Sequence, residues 1–318
     1  MINKVINLQF LFLLLLFLLT SCSEHQPGKY VEINIKKGMT GKKVGEFLKE
    51  KGVINNLILF KGFLKYYGDD KIKAGTYLLR KNMDEKDAVL TLLKGPNYVI
   101  KVTIPEGFTL KEIAHILFIK KVIASESLFI KLCYDKRILN KYKIPFFSLE
   151  GYLFPDTYIF YKESEEEEII DRMVRRFLEI KNKINKGSKI KDEVAIVIAS
   201  LIEKEAMKDN ERPIIAGVFY NRLRRGMKLE SCATIAYILP EHKDRLSYED
   251  LKIDNSYNTY MYKGLPPGPI CNSGYKSLKA AYYPERTEYL YFVSRGDGTH
   301  AFSKTSKEHL LNKKKYRR

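Results

Sequence analysis

Glu203 and Glu205 close the most informative stretch of this 318-residue chain. Val194 to Ala206 reads Val-Ala-Ile-Val-Ile-Ala-Ser-Leu-Ile-Glu-Lys-Glu-Ala. It is apolar on nearly every side until Glu203, which predicts a helix buried at the centre of a domain. Glu205 follows Val194, Ile198, Leu201 and Ile202 by 11, 7, 4 and 3 positions and so extends a stripe of large apolar residues. Glu203 extends the Ile196/Ala199 side, about 200° away around the helix. The two carboxyl groups therefore point apart and cannot share one site. A carboxyl on an apolar stripe loses hydration, which raises its pKa and suits it to general-acid work near neutral pH. Spacing alone leaves a second arrangement open, in which both glutamates sit at a helix end and pair with Arg212 or Arg222.

The other reactive side chains form no such pattern. The cysteines are Cys22, Cys133, Cys232 and Cys271, and the histidines are His25, His115, His242, His300 and His309. There is no CxxC, no Cys/His cluster and no Ser-His-Asp spacing, so neither a metal site nor a disulfide scaffold is expected, and no cofactor. Glu163 to Glu168 (Glu-Ser-Glu-Glu-Glu-Glu) opens a long amphipathic pattern running to about Ile184. An acidic first turn suits the helix dipole, so the run reads as a solvated helix start and not as a metal site.

The amino terminus decides the compartment. Phe10 to Leu19 is wholly apolar but only ten residues long, short of the about 20 that a spanning helix needs, and it fits a signal-peptide core. Leu19-Thr20-Ser21-Cys22 looks like a lipobox, which would make Cys22 the lipidated amino terminus; the alternative is a short transmembrane anchor. Either way residues 1–21 are a signal peptide or membrane anchor, and the bulk of the chain is expected on the extracytoplasmic side of the cell membrane, periplasm or wall side. Lys and Arg number 56 against 38 acids, a formal charge of +18. Removing residues 1–21 takes away only Lys4, so +17 stays on the exported body. Export argues against nucleic acid as the partner, and no basic helix or aromatic-interleaved RNA motif is present. An acidic wall polymer and an anionic membrane face are the partners that fit this charge.

The elements that must position the glutamates are α+β. Residues 22–30 read as a tether. Ile33-Asn-Ile35-Lys-Lys-Gly38-Met-Thr40, followed by Val44, Phe47, Leu48, Lys51, Val53 and Ile54, recurs without a gap 69 positions later as Val102-Thr-Ile104-Pro-Glu-Gly107-Phe-Thr109 with Ile113, Ile116, Leu117, Lys120, Val122 and Ile123. Each copy predicts a strand, a glycine turn, a capping Thr and an amphipathic helix. Between them a strand is expected over Ala74–Leu79 and a helix from Asp84 to Leu93. This pattern resembles the LysM-like βααβ module, which implies a glycan-binding region over 31–145. A mainly helical catalytic domain with a small β-sheet is expected over 146–318, with Leu290–Val293 pairing to Thr299–Phe302 across Gly296-Asp297-Gly298.

Further strings carry a family resemblance. Glu150-Gly-Tyr-Leu-Phe-Pro-Asp-Thr-Tyr158, Ala199 to Glu205, Val218-Phe-Tyr-Asn-Arg-Leu223 with Gly226-Met, Tyr257-Asn-Thr-Tyr260, Gly264-Leu-Pro-Pro-Gly-Pro-Ile270, Ser277-Leu-Lys-Ala-Ala281, Tyr289 to Val293 and His300-Ala-Phe-Ser303 together resemble the endolytic murein transglycosylase family. The resemblance implies a membrane-anchored enzyme of cell-wall assembly. It would cut peptidoglycan glycan strands internally between N-acetylmuramic acid and N-acetylglucosamine, without water, leaving 1,6-anhydro-muramyl ends. It places the catalytic acid and base on Glu205 and suggests peptidoglycan synthases as protein partners. Asn258, Tyr257 and Tyr260 would offer hydrogen bonds and a sugar-stacking face, and Glu150, Asp156 and Tyr158 a loop lining the groove. Some members carry Asp-Pro where this chain has Cys232-Ala233; Glu230 is then a secondary acid, and Cys232 is expected to be a packing residue. The competing expectation is a non-catalytic peptidoglycan-binding lipoprotein.

Overall fold

The computed structural model describes residues 29–68, 71–241, 243 and 246–316. The signal segment, the lipidation candidate Cys22 and most of the tether lie outside the described residues. The chain divides between Tyr98 and Val99 into two compact units.

The first unit runs β1 (Tyr30–Ile35), α1 (Gly41–Glu50), α2 (Leu57–Tyr67), β2 (Gly75–Arg80) and α3 (Glu85–Lys94). β1 and β2 pair antiparallel, with Tyr30 opposite Arg80 and Ile35 opposite Gly75. Alternation buries Ile33 and Ile35 against Val44, Leu48, Phe60, Tyr77 and Leu92. Thr40 caps α1 by accepting the Lys43 N–H, Asn56 caps α2 through the N–H groups of Ile58 and Leu59, and Asp84 caps α3.

The second unit begins with β3 (Val99–Thr103), α4 (Leu110–Ile119), α5 (Glu126–Cys133), α6 (Lys136–Lys141), β4 (Thr157–Tyr161) and α7 (Glu166–Ile184). It continues with α8 (Asp192–Glu205), α9 (Arg212–Arg224), α10 (Cys232–Ile238), α11 (Tyr275–Tyr282), the β5 (Tyr291–Ser294) and β6 (His300–Ser303) strands, and α12 (Ser306–Tyr316). The architecture is mixed α+β and mostly helical, and the described strands form two-stranded antiparallel sheets. β3, the strand of the second repeat copy, pairs with β4, Val99 opposite Tyr161, so the two copies fall in different units and the stretch 31–145 spans the boundary. The repeat's turn glycines, Gly38 and Gly107, have φ of 81° and 80°, a left-handed conformation that any Cβ would strain. Thr109 and Glu112 form a reciprocal capping box on α4.

α8 is the centre of this unit. Every residue from Ala195 to Ile202 is buried, and α9, α10 and α11 pack on it. α7 starts within the acidic run as expected, but the run is not solvated throughout. Glu166 is buried and accepts the Ser125 N–H at 3.0 Å, because it ties the start of α7 to that of α5, while Glu167 pairs with Arg137 at 2.8 Å. The hairpin sets Tyr291 opposite Ser303 and Ser294 opposite His300, within one residue of the expected strands. Among the described residues no helix is long and apolar enough to cross a membrane.

Candidate active site

α8 ends at Glu205, where Ala206 turns to extended backbone, and its last turn sends two carboxyl groups to opposite sides. Glu203 accepts from Arg212 Nη1 at 3.1 Å and from the Gly274 N–H at 2.8 Å. Arg212 also bonds Ser277 Oγ and Asp209. This is a buried structural ion pair, with side-chain exposures of 6% for Glu203 and 10% for Arg212. Glu205 faces the other way and accepts from Ser231 Oγ at 2.6 Å and from the Ala233 N–H. Burial raises its pKa, opposed by the Ser231 hydrogen bond, the electrostatic influence of His300 and the Ala233 N–H.

The segment that reaches Glu205 is fixed from beneath by residues 258–260. Asn258 is fully buried; its Nδ2 donates to the carbonyls of Leu251 and Ile253 at 3.0 and 2.8 Å, and its Oδ1 accepts the Tyr260 N–H at 2.9 Å. Thr259 receives the N–H of Glu230 on its carbonyl and that of Ser231 on its hydroxyl. Thr234 Oγ1 closes the turn onto Thr259 Oγ1 at 2.9 Å. Glu230 takes φ of 52° there. These bonds set Ser231 and Ala233 against Glu205 and bring the Tyr260 hydroxyl to 3.0 Å from Cys232 Sγ.

The far wall comes from the hairpin. α9 holds it: Asn221 Nδ2 donates to the carbonyls of Thr287 and Tyr289, and Arg222 Nε to that of Leu290. Arg222 Nη1 also reaches Glu230 Oε2 at 3.0 Å. Enclosed between these parts is a cleft of about 190 Å³ lined by Glu205, Arg222, Glu230, Cys232, Tyr260 and His300, among others. A neighbouring hollow of about 500 Å³ shares Glu230, His309 and Lys313 with it and adds Lys228 and Lys263, so the surroundings of the cleft are cationic.

Of the residues singled out from the sequence, Glu205, Glu230 and Tyr260 meet in this cleft. Glu150, Tyr158, Tyr257 and Asn258 are engaged in the interior instead. Glu150 accepts from the Leu110 N–H and from Asn272 Nδ2 at 2.9 Å, and burial pushes its pKa up to about 7. Tyr158 donates to the Phe154 carbonyl at 2.6 Å, Asp156 pairs with Arg176 at 2.8 Å, and Tyr257 packs against Phe147 and Tyr237. Cys232 is not the packing residue expected: it is exposed and lines the cleft, because it opens α10 on the face turned toward Glu205. Sequence reasoning missed Ser231, Glu211 and His300. His300 was visible only as a member of the His300-Ala-Phe-Ser303 string, since its partner Glu211 lies 89 positions away.

Residues 33–315 match the YceG-like family. The chain is 37% identical over 305 residues to the endolytic murein transglycosylase of Bacillus subtilis, covering 90% of this chain and 84% of that protein. It is 31% identical to the endolytic murein transglycosylase of Streptococcus pneumoniae over 84% of this chain, and spans 54% of that longer relative. A crystal structure of a yceG-like protein from Listeria monocytogenes superposes with a TM-score of 0.61 at 35% identity, covering 89% of this chain and 99% of that one.

Proposed function

The chain belongs to the YceG-like family, its named relatives are endolytic murein transglycosylases, and from that premise we propose that this lytic transglycosylase cuts within peptidoglycan glycan strands with Glu205 as its single acid and base. The observation that carries the assignment is the setting of Glu205. Its carboxyl is desolvated, which favours the protonated form, and it faces two donors, Ser231 Oγ and the Ala233 N–H, which stabilise the carboxylate once the proton has left.

In the first half, Glu205 gives its proton to the oxygen joining C1 of N-acetylmuramic acid to N-acetylglucosamine, and the C1–O bond breaks. In the second half, the muramyl 6-hydroxyl oxygen bonds to C1 while its proton passes to the Glu205 carboxylate. Water is not consumed, a 1,6-anhydro end forms, and Glu205 returns to its starting state. The oxocarbenium-like charge resembles that of glycoside hydrolysis, but no carboxylate nucleophile is required. Glu230, the other carboxylate in the cleft, is held by Arg222 at 3.0 Å, which favours the one-carboxyl route.

The wider reading follows from the chain's design. The apolar amino terminus and Cys22 would hold the enzyme at the membrane with its body on the extracytoplasmic side, beside the synthases that make new strands. The β-α-α-β order with which the first unit begins, before α3, supports a LysM-like role in holding glycan, and the +18 charge favours an acidic wall and membrane face. The test is to incubate the purified protein with unmodified glycan strands and measure anhydro-muramyl ends by mass spectrometry. Internal cleavage with anhydro ends is expected, and Glu205→Gln should abolish it. Hydrolytic ends, or activity surviving Glu205→Gln, would overturn the reading.

A further inference from the structure

His300 is tied to one residue twice. Its backbone N–H donates to Glu211 Oε1 at 3.0 Å and its Nδ1 lies 2.7 Å from Glu211 Oε2. Both residues are buried, His300 at 7% and Glu211 at 7% exposure. The ring is also held edge-on to Phe292 with centroids 5.4 Å apart. A carboxylate at Nδ1 fixes the proton on that nitrogen, which leaves Nε2 as the ring atom available to the cleft that His300 lines with Glu205. Burying a carboxylate–imidazole pair is costly, and here the pair stands beside the proposed acid and base.

The other polar groups around Glu205 are occupied differently. Arg222 is paired with Glu230 and Cys232 is hydrogen-bonded to Tyr260, Ser231 already donates to Glu205, and His309 and Lys313 come from α12, with the His309 ring stacked on Tyr291. We propose that His300, held by Glu211, is a positioning residue for Glu205: it stabilises the carboxylate formed when the proton passes to the leaving glycosidic oxygen and readies it to take the proton of the attacking hydroxyl. His300 neither gives nor receives a proton in the cycle. The electrostatic influence of His300 on Glu205 runs against the effect of burial, and it is felt strongly where the local dielectric is low.

The proposal rests on the transglycosylase reading, and its test separates the two. Anhydro-product formation is measured against pH for the unaltered protein, His300→Gln and Glu211→Gln, with thermal unfolding of each. If the unaltered protein makes no anhydro product, the transglycosylase reading fails. With that product present, His300→Gln should lower kcat by about 100-fold with KM nearly unchanged. It should also move the alkaline limb, where Glu205 loses its proton, to higher pH, because the electrostatic influence of His300, which opposes that of burial on Glu205, is gone. An unchanged kcat, or a loss of kcat with the limb unmoved, would overturn the positioning role. Should His300→Gln fail to fold, Glu211→Gln keeps the ring and decides the matter: a fall in kcat of about tenfold at constant KM supports the proposal, and an unchanged kcat ends it.

Discussion

Glu203 and Glu205, two residues apart at the end of α8, are held on opposite sides of that helix. Glu203 binds Arg212 and the Gly274 N–H, and Glu205 binds Ser231 and the Ala233 N–H. The 100° step of an α-helix forces this separation. One carboxylate neutralises a buried guanidinium and joins α8 to α9 and α11. The other has no cation in hydrogen-bond contact, so burial raises its pKa.

The two glutamates should therefore fail in different ways. Glu203→Ala leaves Arg212 buried without its main carboxylate, and unfolding stability should drop by about 3–5 kcal/mol. Glu205→Gln removes a desolvated carboxyl that has no cation in hydrogen-bond contact, so stability is expected to hold or rise while product formation falls by at least about 100-fold. Urea denaturation of both variants beside an anhydro-product assay separates the roles. A Glu205→Gln variant that unfolds as readily as Glu203→Ala would assign Glu205 a structural role.

Glu150 gives stability a pH dependence of unusual sign. Burial raises its pKa from 4.5 to about 7, with the N–H groups of Leu110 and Gly151 opposing the shift. Between those values the folded chain holds a proton that the unfolded chain has released. Stability from this group is therefore fully present below the lower value, declines as pH rises through the window, and is level above it. The total is about 3 kcal/mol. Glu150→Gln cannot titrate, so its stability relative to the unaltered protein should increase by that amount from acid to neutral pH in urea melts. A difference that stays constant with pH would refute the assignment.

What the sequence disclosed and what it withheld divides by distance along the chain. The phase of Glu205 on α8, the capping threonines Thr40 and Thr109 and the β5–β6 hairpin are encoded within a few residues, where period and turn chemistry act directly. Ser231 reaches Glu205 from 26 positions away and His300 reaches Glu211 from 89, and only tertiary packing sets those meetings. Glu150 and Asn258 illustrate another limit. Their residue types suit binding a sugar equally well as binding backbone, and here Glu150 fastens the start of α4 while Asn258 fastens the turn beneath Ser231. The partners of the earlier strands were likewise illegible: β3 repeats the pattern of β1, yet β1 pairs with β2 in the first unit and β3 with β4 in the second.

Gly217 lets α9 carry the hairpin. A Cβ at this position would lie 2.5 Å from the Glu285 carbonyl oxygen and 2.7 Å from Thr287 Cγ2, in the segment that Asn221 and Arg222 bind on its way to β5. Gly217→Ala should push that segment outward, cost about 1–3 kcal/mol, and lower kcat because His300 moves with the hairpin. Calorimetry and the product assay measure both effects. Full activity with lowered stability would show that the hairpin can shift without disturbing Glu205.

Ser231→Ala tests the direction of the shortest contact to the proposed acid. Ser231 is buried and donates to Glu205 Oε1 at 2.6 Å, a bond that favours the charged carboxylate and opposes the rise caused by burial. Removing it should push the Glu205 pKa higher, so the alkaline limb of the activity profile moves to higher pH. Proton donation to the glycosidic oxygen survives, because the variant keeps its proton over a wider range. The second half suffers, since the carboxylate that must form is less stabilised, and kcat should fall by about tenfold for one lost charge-assisted hydrogen bond. The protein itself should lose only about 1 kcal/mol. A limb that moves to lower pH would mean that Ser231 accepts a hydrogen bond from protonated Glu205, and the hydroxyl would then serve the acid half of the reaction and not the base half.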